Sequence, residues 1–362
     1  MRILVCPDRM GPLSSAAAGQ ALASGWPGAV TRTVGEAGRG FVEATADGWG
    51  SVLRTAVVDG AVLESARAAD AVVLGVSGVL DELGVLGQSG VDAHARRESP
   101  IPYQASSLVL GQAIGALLAE DRPKTLLVDL AGLHVHDAGA GVLAGLGARS
   151  SGGRLSDGVA GLSGLTAVDL AAVRSVLADV ELIGVVPAAE RDDQLLGLRG
   201  ITSRRGRATG EDSAVLLATD AALQQLTELV APEVATTPGA GACGGLGWTT
   251  LALGGRLATG PELGLAGAGD GYDLVVTGCG VFDFAARGGG VVAAAADLAA
   301  ASLAPCIVIA GEVLIGAREM RTMGIEAAYP IRESNLDAPT GGDLTAAELT
   351  ATVTRVSRTW RW

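Results

Sequence analysis

Chemistry in this chain can be read from four short stretches, each carrying glycine. In the first, Cys6-Pro7-Asp8-Arg9-Met10-Gly11-Pro12-Leu13-Ser14-Ser15, an apolar run ends at an acidic residue and turns into a helix. Asp8 therefore stands where a carboxylate holds a substrate hydroxyl or a metal-bound water. The second is Gly132-Leu133-His134-Val135-His136-Asp137-Ala138-Gly139-Ala140-Gly141. His134 and His136 share one side of an extended segment, so they read either as a metal pair or as local hydrogen bonding, with a role in substrate contact also open. The third is Pro238-Gly239-Ala240-Gly241-Ala242-Cys243-Gly244-Gly245-Leu246-Gly247, a turn small enough for backbone N–H groups to approach an anion. The fourth, Thr277-Gly278-Cys279-Gly280-Val281-Phe282-Asp283, reads as strand, glycine turn and carboxylate. Its Cys279 is either a reactive thiol at a helix N-terminus or a neutral small residue.

These stretches need a scaffold that brings loops to one edge. Short, continuous apolar runs predict strands at Ile3–Cys6, Ala71–Leu74, Thr125–Leu130, Val180–Val186, Asp273–Thr277 and Cys306–Ala310. Helical spacing predicts helices at Ser14–Trp26, Gly111–Ala119, Val168–Leu177, Thr219–Val230, Gly289–Ala301 and Leu344–Arg358. The alternation is that of an α/β fold. Gly132, Gly139, Gly278 and Gly280 are expected at the carboxyl ends of strands, where open α/β sheets bind ligands. The tail Trp360-Arg361-Trp362 is expected to pack on its own domain or on a partner.

Composition narrows the classes. The 362 residues carry a net charge of −13, which argues against non-specific nucleic-acid binding. Hydrophobic residues make up 49%, too many for a disordered chain, and the 54 glycines show no Gly-X-Y period. No apolar run is long enough for a membrane span, and Met1–Val5 is too short for a signal-peptide core, so a cytoplasmic protein is expected. The four cysteines form no CxxC pair and read as free thiols; no metal site is assigned. Lys124 is the sole lysine among 26 cations, so no Gly-Lys-Ser/Thr phosphate loop exists.

In this order, the four stretches resemble the type I glycerate kinase family, which transfers phosphate from ATP to D-glycerate. Its opening P-D-S-F-K-G-S-L-S-A is similar to Pro7–Ala16. Its A-D-G-G-E-G-T or D-G-G-P-G-F is similar to Gly35–Phe41, and its G-G-S-A-T-N-D-G-G-A-G to Ala131–Gly141. P-G-A-G-A-A-G-G is nearly intact as Pro238–Gly245, and D-L-V-I-T-G-E-G-R-F-D-x-Q-S-x-x-G-K is similar to Asp273–Gly290. The resemblance implies a two-domain α/β fold: an open parallel Rossmann-like sheet from residues 1–60 and 265–362, a mixed α/β domain inserted as 61–264, and a cleft between them. It implies ATP and Mg²⁺ as cofactors and a small hydroxy acid as substrate, with no nucleic-acid or membrane partner; a homodimer is left open. Asp8, Asp137 and Asp283 become the catalytic candidates, one to accept the hydroxyl proton and another to hold Mg²⁺ through water. Gly239, Gly241, Gly244, Gly245, Gly278, Gly280 and Arg205 become the candidates for phosphate or nucleotide. Gly38, Arg39 and Gly40 become the candidates for substrate.

The departures from that pattern are as informative. Every lysine of those motifs is absent. Arg205 stands for one, in Ile201–Arg207; Met10 or a deletion beside Arg9 stands for another, and Gly290 for the last. The family's glutamate is Cys279, its asparagine before Asp137 is His136, and the residues after Asp283 are Ala285 and Ala286. Arginine binds phosphate as a fork rather than a point charge, so the exchange is not conservative. Loss of one cation at a transferring phosphate costs about 3 kcal/mol. The alternative is thus a non-catalytic relative that keeps the fold and binds a ligand or a protein partner.

Overall fold

The structure, a computed structural model, describes residues 1–38, 40–80, 86–88, 93–332 and 343–360. Arg39 and Trp362, named above, lie outside the described residues. The chain divides into two compact units, Met1–Ser51 with Gly260–Trp362, and Val52–Thr259.

The first unit is built on a five-stranded, all-parallel sheet. Its order is Ile325–Pro330, Cys306–Leu314, Leu274–Asp283, Ile3–Val5 and Val30–Thr31. The strands are continuous apolar runs because both faces are covered, and alternate residues feed two cores. Leu4, Val275, Val308 and Ala310 pack with Val291, Val292 and Ala295 of the helix Gly289–Ala301. Ile3, Val5, Leu274, Val276, Ile307 and Ile309 pack with Leu22 of the helix Ser15–Ala23 and with Leu349 and Val353 of the helix Ala346–Thr359. Ser14 caps the first of these helices and a Thr345–Glu348 capping box opens the last. Trp360 packs on this unit: Trp26 Nε1 donates to the Trp360 carbonyl at 3.3 Å, and Trp360 Nε1 donates to the Tyr329 hydroxyl at 2.8 Å.

One expected turn is a strand. Leu274–Asp283 runs straight through Gly278-Cys279-Gly280, with Gly278 paired to Ile309, Cys279 to Ala310 and Val281 to Glu312 on the next strand. Neither glycine has a positive φ. Gly278 is required by packing, because a Cβ there would stand 2.9 Å from Met10 Sδ and 2.8 Å from the Ile309 carbonyl oxygen.

The second unit carries a mixed sheet. Arg256–Thr259, Glu181–Val186, Thr125–Asp129 and Ala71–Leu80 are parallel, and Ala61–Arg67 and Arg54–Val58 add antiparallel strands at one edge. Asp59 and Gly60, both at positive φ, form the two-residue turn between those last strands. This pairing puts residues 52–60 in the second unit rather than with the N-terminal strand. The expected helix Val168–Leu177 is shorter, Ala171–Val176, because Ala167–Asp169 pairs with Arg149–Ser151. Among the described residues no helix is long and apolar enough to cross a membrane.

Candidate functional site

Loops leaving the carboxyl ends of two neighbouring strands, Thr125–Asp129 and Glu181–Val186, build a polar cluster in the second unit with arginines of the helices Ala93–Glu98 and Ile201–Thr209. Glu190 and Asp193 follow the second strand at once, and both are buried. Arg96 donates from Nε to Glu190 Oε1 (3.0 Å), and through Nη1 and Nη2 to the carbonyls of Leu133 (2.8 Å) and Ala131 (3.0 Å). It thereby braces the loop that carries the two histidines. Asp193 Oδ1 accepts from both Arg97 Nη2 (2.9 Å) and Arg204 Nη1 (2.6 Å). Arg97, Arg204 and Arg205 join Arg96, Gly241 and Gly244 around a small pocket. Four guanidinium groups against two carboxylates leave it electropositive.

Arg205 is the unusual member. It is 3% exposed, yet all its acceptors are neutral: Ser99 Oγ (3.1 Å), the carbonyls of Ser99 (3.4 Å), Pro100 (3.5 Å) and Val135 (3.3 Å), His136 Nδ1 (3.2 Å) and His134 Nε2. Among the described residues no carboxylate pairs with it. Burial and the Arg96 charge pull its pKa down to about 10, opposed by Glu190. Burial, and then Arg205 itself, hold His134 at about 4 and His136 at about 3. Both imidazoles are therefore neutral acceptors. With its Nδ1 lone pair on Arg205, His136 carries its proton on Nε2, 2.9 Å from Thr202 Oγ1.

Asp137, expected among the catalytic carboxylates, has no exposed surface and clasps its own loop. Its Oδ2 accepts from Ser107 N (2.8 Å), Ser107 Oγ (2.9 Å) and Gly141 N (3.1 Å), and its Oδ1 from Gly139 N (3.0 Å). Burial pushes this carboxyl up, and those four donors oppose the shift. With four donors on its two oxygens and no exposed surface, this carboxylate is held as a clasp of the loop.

The Pro238–Gly245 turn is likewise filled from within. Cys243, Gly244 and Gly245 stand at φ of 53°, 71° and 92°, and a Cβ on Gly244 would fall 2.0 Å from the Val135 carbonyl oxygen. The Cys243 N–H donates to Glu190 Oε2 at 2.6 Å, so the turn already holds an anion, the protein's own carboxylate. Of its four glycine candidates, Gly241 and Gly244 line the pocket. Gly239 packs on the Arg191 carbonyl and Gly245 on Ala138.

The first unit sets Asp8 opposite Gly278 of the strand Leu274–Asp283, with Cys279 and Gly280 next along that strand and Asp283 at its end. Asp8 N donates to the Gly278 carbonyl at 2.9 Å, and the charges of Asp8 and Asp283 add to burial in raising the Cys279 thiol to about 12. That thiol is inert rather than activated. Both aspartates are half-buried. Asp283 Oδ1 accepts from Ala286 N (2.7 Å) and Asp8 Oδ1 from Arg9 N (2.7 Å). Gly40, at φ 77°, opens the helix Phe41–Trp49, and Arg9 lies beside it, its Nη1 3.6 Å from Glu43. Gly38 is also at positive φ, 80°.

Sequence reasoning missed Arg96, Arg97, Glu190, Asp193 and Arg204. One signal was available: the charged block Glu190-Arg191-Asp192-Asp193 directly after the apolar run Leu182–Pro187, at a strand end where ligands collect.

The comparisons with known proteins agree with this architecture. The glycerate kinase family model matches residues 3–361. The chain is 28% identical over 352 residues to a glycerate kinase of Bacillus subtilis, covering 91% of this chain and 90% of the relative. It is 28% identical over 359 residues to a glycerate 2-kinase of Escherichia coli, covering 92% and 91%. A crystal structure from Salmonella typhimurium LT2, described as that of a glycerate kinase 2, superposes with a TM-score of 0.75 at 22% identity, covering 99% of this chain and 98% of the other. That likeness bears on the fold: a parallel sheet in one unit and a mixed one in the other. With the family model spanning nearly every residue over this fold, the chain belongs to the glycerate kinase family.

Proposed function

We propose that this protein transfers a phosphoryl group from ATP to D-glycerate or a similar small hydroxy acid. The observation that carries the reading is Arg205, a buried cation that neither carboxylate of its pocket, Glu190 or Asp193, pairs with. Buried charges are normally paired, so the partner this pocket suits is a ligand carboxylate or phosphate, which supplies the missing opposite charge. Arg97 and Arg204 flank it on the same pocket wall.

In the first unit, Asp8, opposite Gly278, and Asp283, at the end of the same strand as Gly278, are half-buried hard oxygen donors. That donor set fits Mg²⁺, which takes one or two carboxylates and keeps most of its waters. Mg-ATP, when bound, supplies the phosphoryl group. One of the two aspartates accepts the substrate hydroxyl proton and the other holds the ion through water. Gly280, whose Cβ position has only Gly11 N near it, at 3.9 Å, leaves backbone open for a phosphate; Gly278 does not.

The test is ADP release coupled to NADH oxidation, with D-glycerate and Mg-ATP. Turnover is expected, with a loss of roughly 10²–10³-fold in Asp283→Ala. Turnover that survives the substitution removes Asp283 from the site. No turnover together with no ATP-induced thermal shift overturns the enzyme reading. One observation favours the second reading, a ligand-binding relative without catalysis: Glu190 already occupies the glycine turn. In that case glycerate or phosphate raises the melting temperature and no ADP appears.

A further inference from the structure

We propose that His134 and His136 are positioning residues that make arginine, and not lysine, the functional cation at position 205. The inference rests on the reading of Arg205 as the anion-binding group. The two rings approach its guanidinium through different nitrogens, His134 through Nε2 and His136 through Nδ1. Ser99 Oγ, 2.9 Å from His134 Nε2 and 3.1 Å from Arg205 Nη2, closes the set. A planar fork with five N–H donors satisfies these acceptors together while the guanidinium still lines the pocket. A lysine ammonium has three donors around a single atom and cannot span them. Because every acceptor is neutral, the shell fixes where the cation points without cancelling its charge. A carboxylate in the place of either histidine would do the first and undo the second. This also explains why the arginine is left without a counter-ion although Glu190 and Asp193 line the same pocket.

The different nitrogens give a crossed test. An asparagine amide oxygen stands near the place of an imidazole Nδ1, and a glutamine amide oxygen near that of Nε2. His136→Asn therefore keeps the acceptor for Arg205, while His136→Gln keeps only the contact with Thr202. At position 134 the order reverses, with His134→Gln conservative and His134→Asn not. The readout is the Kd for inorganic phosphate and for D-glycerate by calorimetry on the full chain, with urea stability measured in parallel. His136→Asn and His134→Gln are expected within about threefold of the parent, and His136→Gln and His134→Asn about tenfold weaker, near 1.4 kcal/mol. Arg205→Lys should be at least as weak, and adding His136→Gln to it should cost no more affinity. Affinities that follow stability instead of the crossed order, or an additive double variant, overturn the proposal. Because binding is read without turnover, a failed kinase assay leaves this test intact. If the parent binds neither phosphate nor glycerate, the reading of Arg205 falls, and the proposal with it.

Discussion

Replacing Asp137 with alanine separates a clasp from a catalyst. The substitution strands four buried donors: Ser107 N, Ser107 Oγ, Gly139 N and Gly141 N. Each unsatisfied buried donor costs roughly 1–3 kcal/mol. Water entering the vacated space and relief of the buried carboxylate return part of this. The expected loss is about 3–5 kcal/mol, a large share of the 5–15 kcal/mol that holds a typical domain. For a unit of this size that is a melting temperature lower by about 10 °C. Asp137→Asn should cost less, about 1–3 kcal/mol, since one amide oxygen still serves the Ser107 and Gly141 donors while its NH₂ faces Gly139 N–H. The assay is urea unfolding followed by tryptophan fluorescence, for which Trp248, wholly buried in the second unit, is a reporter, run beside the ADP-release assay. The reasoning is refuted if Asp137→Ala is within about 1 kcal/mol of the parent in stability and has no turnover. Asp137 would then be doing chemistry, and its hydrogen bonds would not be what holds the loop.

Two further outcomes follow from the same geometry. His134 and His136 titrate near 4 and 3 in the folded chain and near 6.5 when unfolded. Between pH 6.5 and about 4 the unfolded chain takes up protons that the native chain refuses, so stability is full above pH 6.5 and falls as the solution is acidified. The slope is at most about 1.4 kcal/mol per pH unit for the buried His136, and less for half-buried His134. Urea titrations of the parent and of the His134→Gln/His136→Asn double variant should diverge in that window; parallel curves contradict the neutral-acceptor assignment. The four thiols are buried, with burial pushing Cys6 and Cys279 to about 12 and Cys243 and Cys306 well above the ordinary value. Iodoacetamide at pH 8 is expected to label none of them in the native protein and all four in guanidinium, and rapid labelling at Cys279 would restore the reactive-cysteine alternative.

The strands were legible in the sequence because both units bury them on two faces, so Ile3–Val5, Thr125–Asp129, Glu181–Val186 and Cys306–Leu314 stand out as unbroken apolar runs. Glycine misled where it was taken for a turn or for open room at a ligand. Gly278 exists to admit Met10, and Gly244 to admit the Val135 carbonyl; one lies in a strand and the other at a kinked helix start. The arginine pocket was hidden for a different reason. Its charges come from 96–97, 190–193 and 204–205, and no periodicity links them, because what joins them is the carboxyl edge of two adjacent parallel strands. The two most informative residues, Asp137 and Arg205, look alike in the sequence: each is a charged side chain inside a motif. What separates them is a count of partners. Asp137 has a donor on every side and no surface, so its charge is spent on the loop. Arg205 has acceptors on every side but no opposite charge, so its hydrogen bonds are complete and its electrostatics are not. A buried group whose geometry is satisfied while its charge is not is poised for something the chain itself does not contain, and that is the physical ground for placing the ligand at the arginine and not at the aspartate.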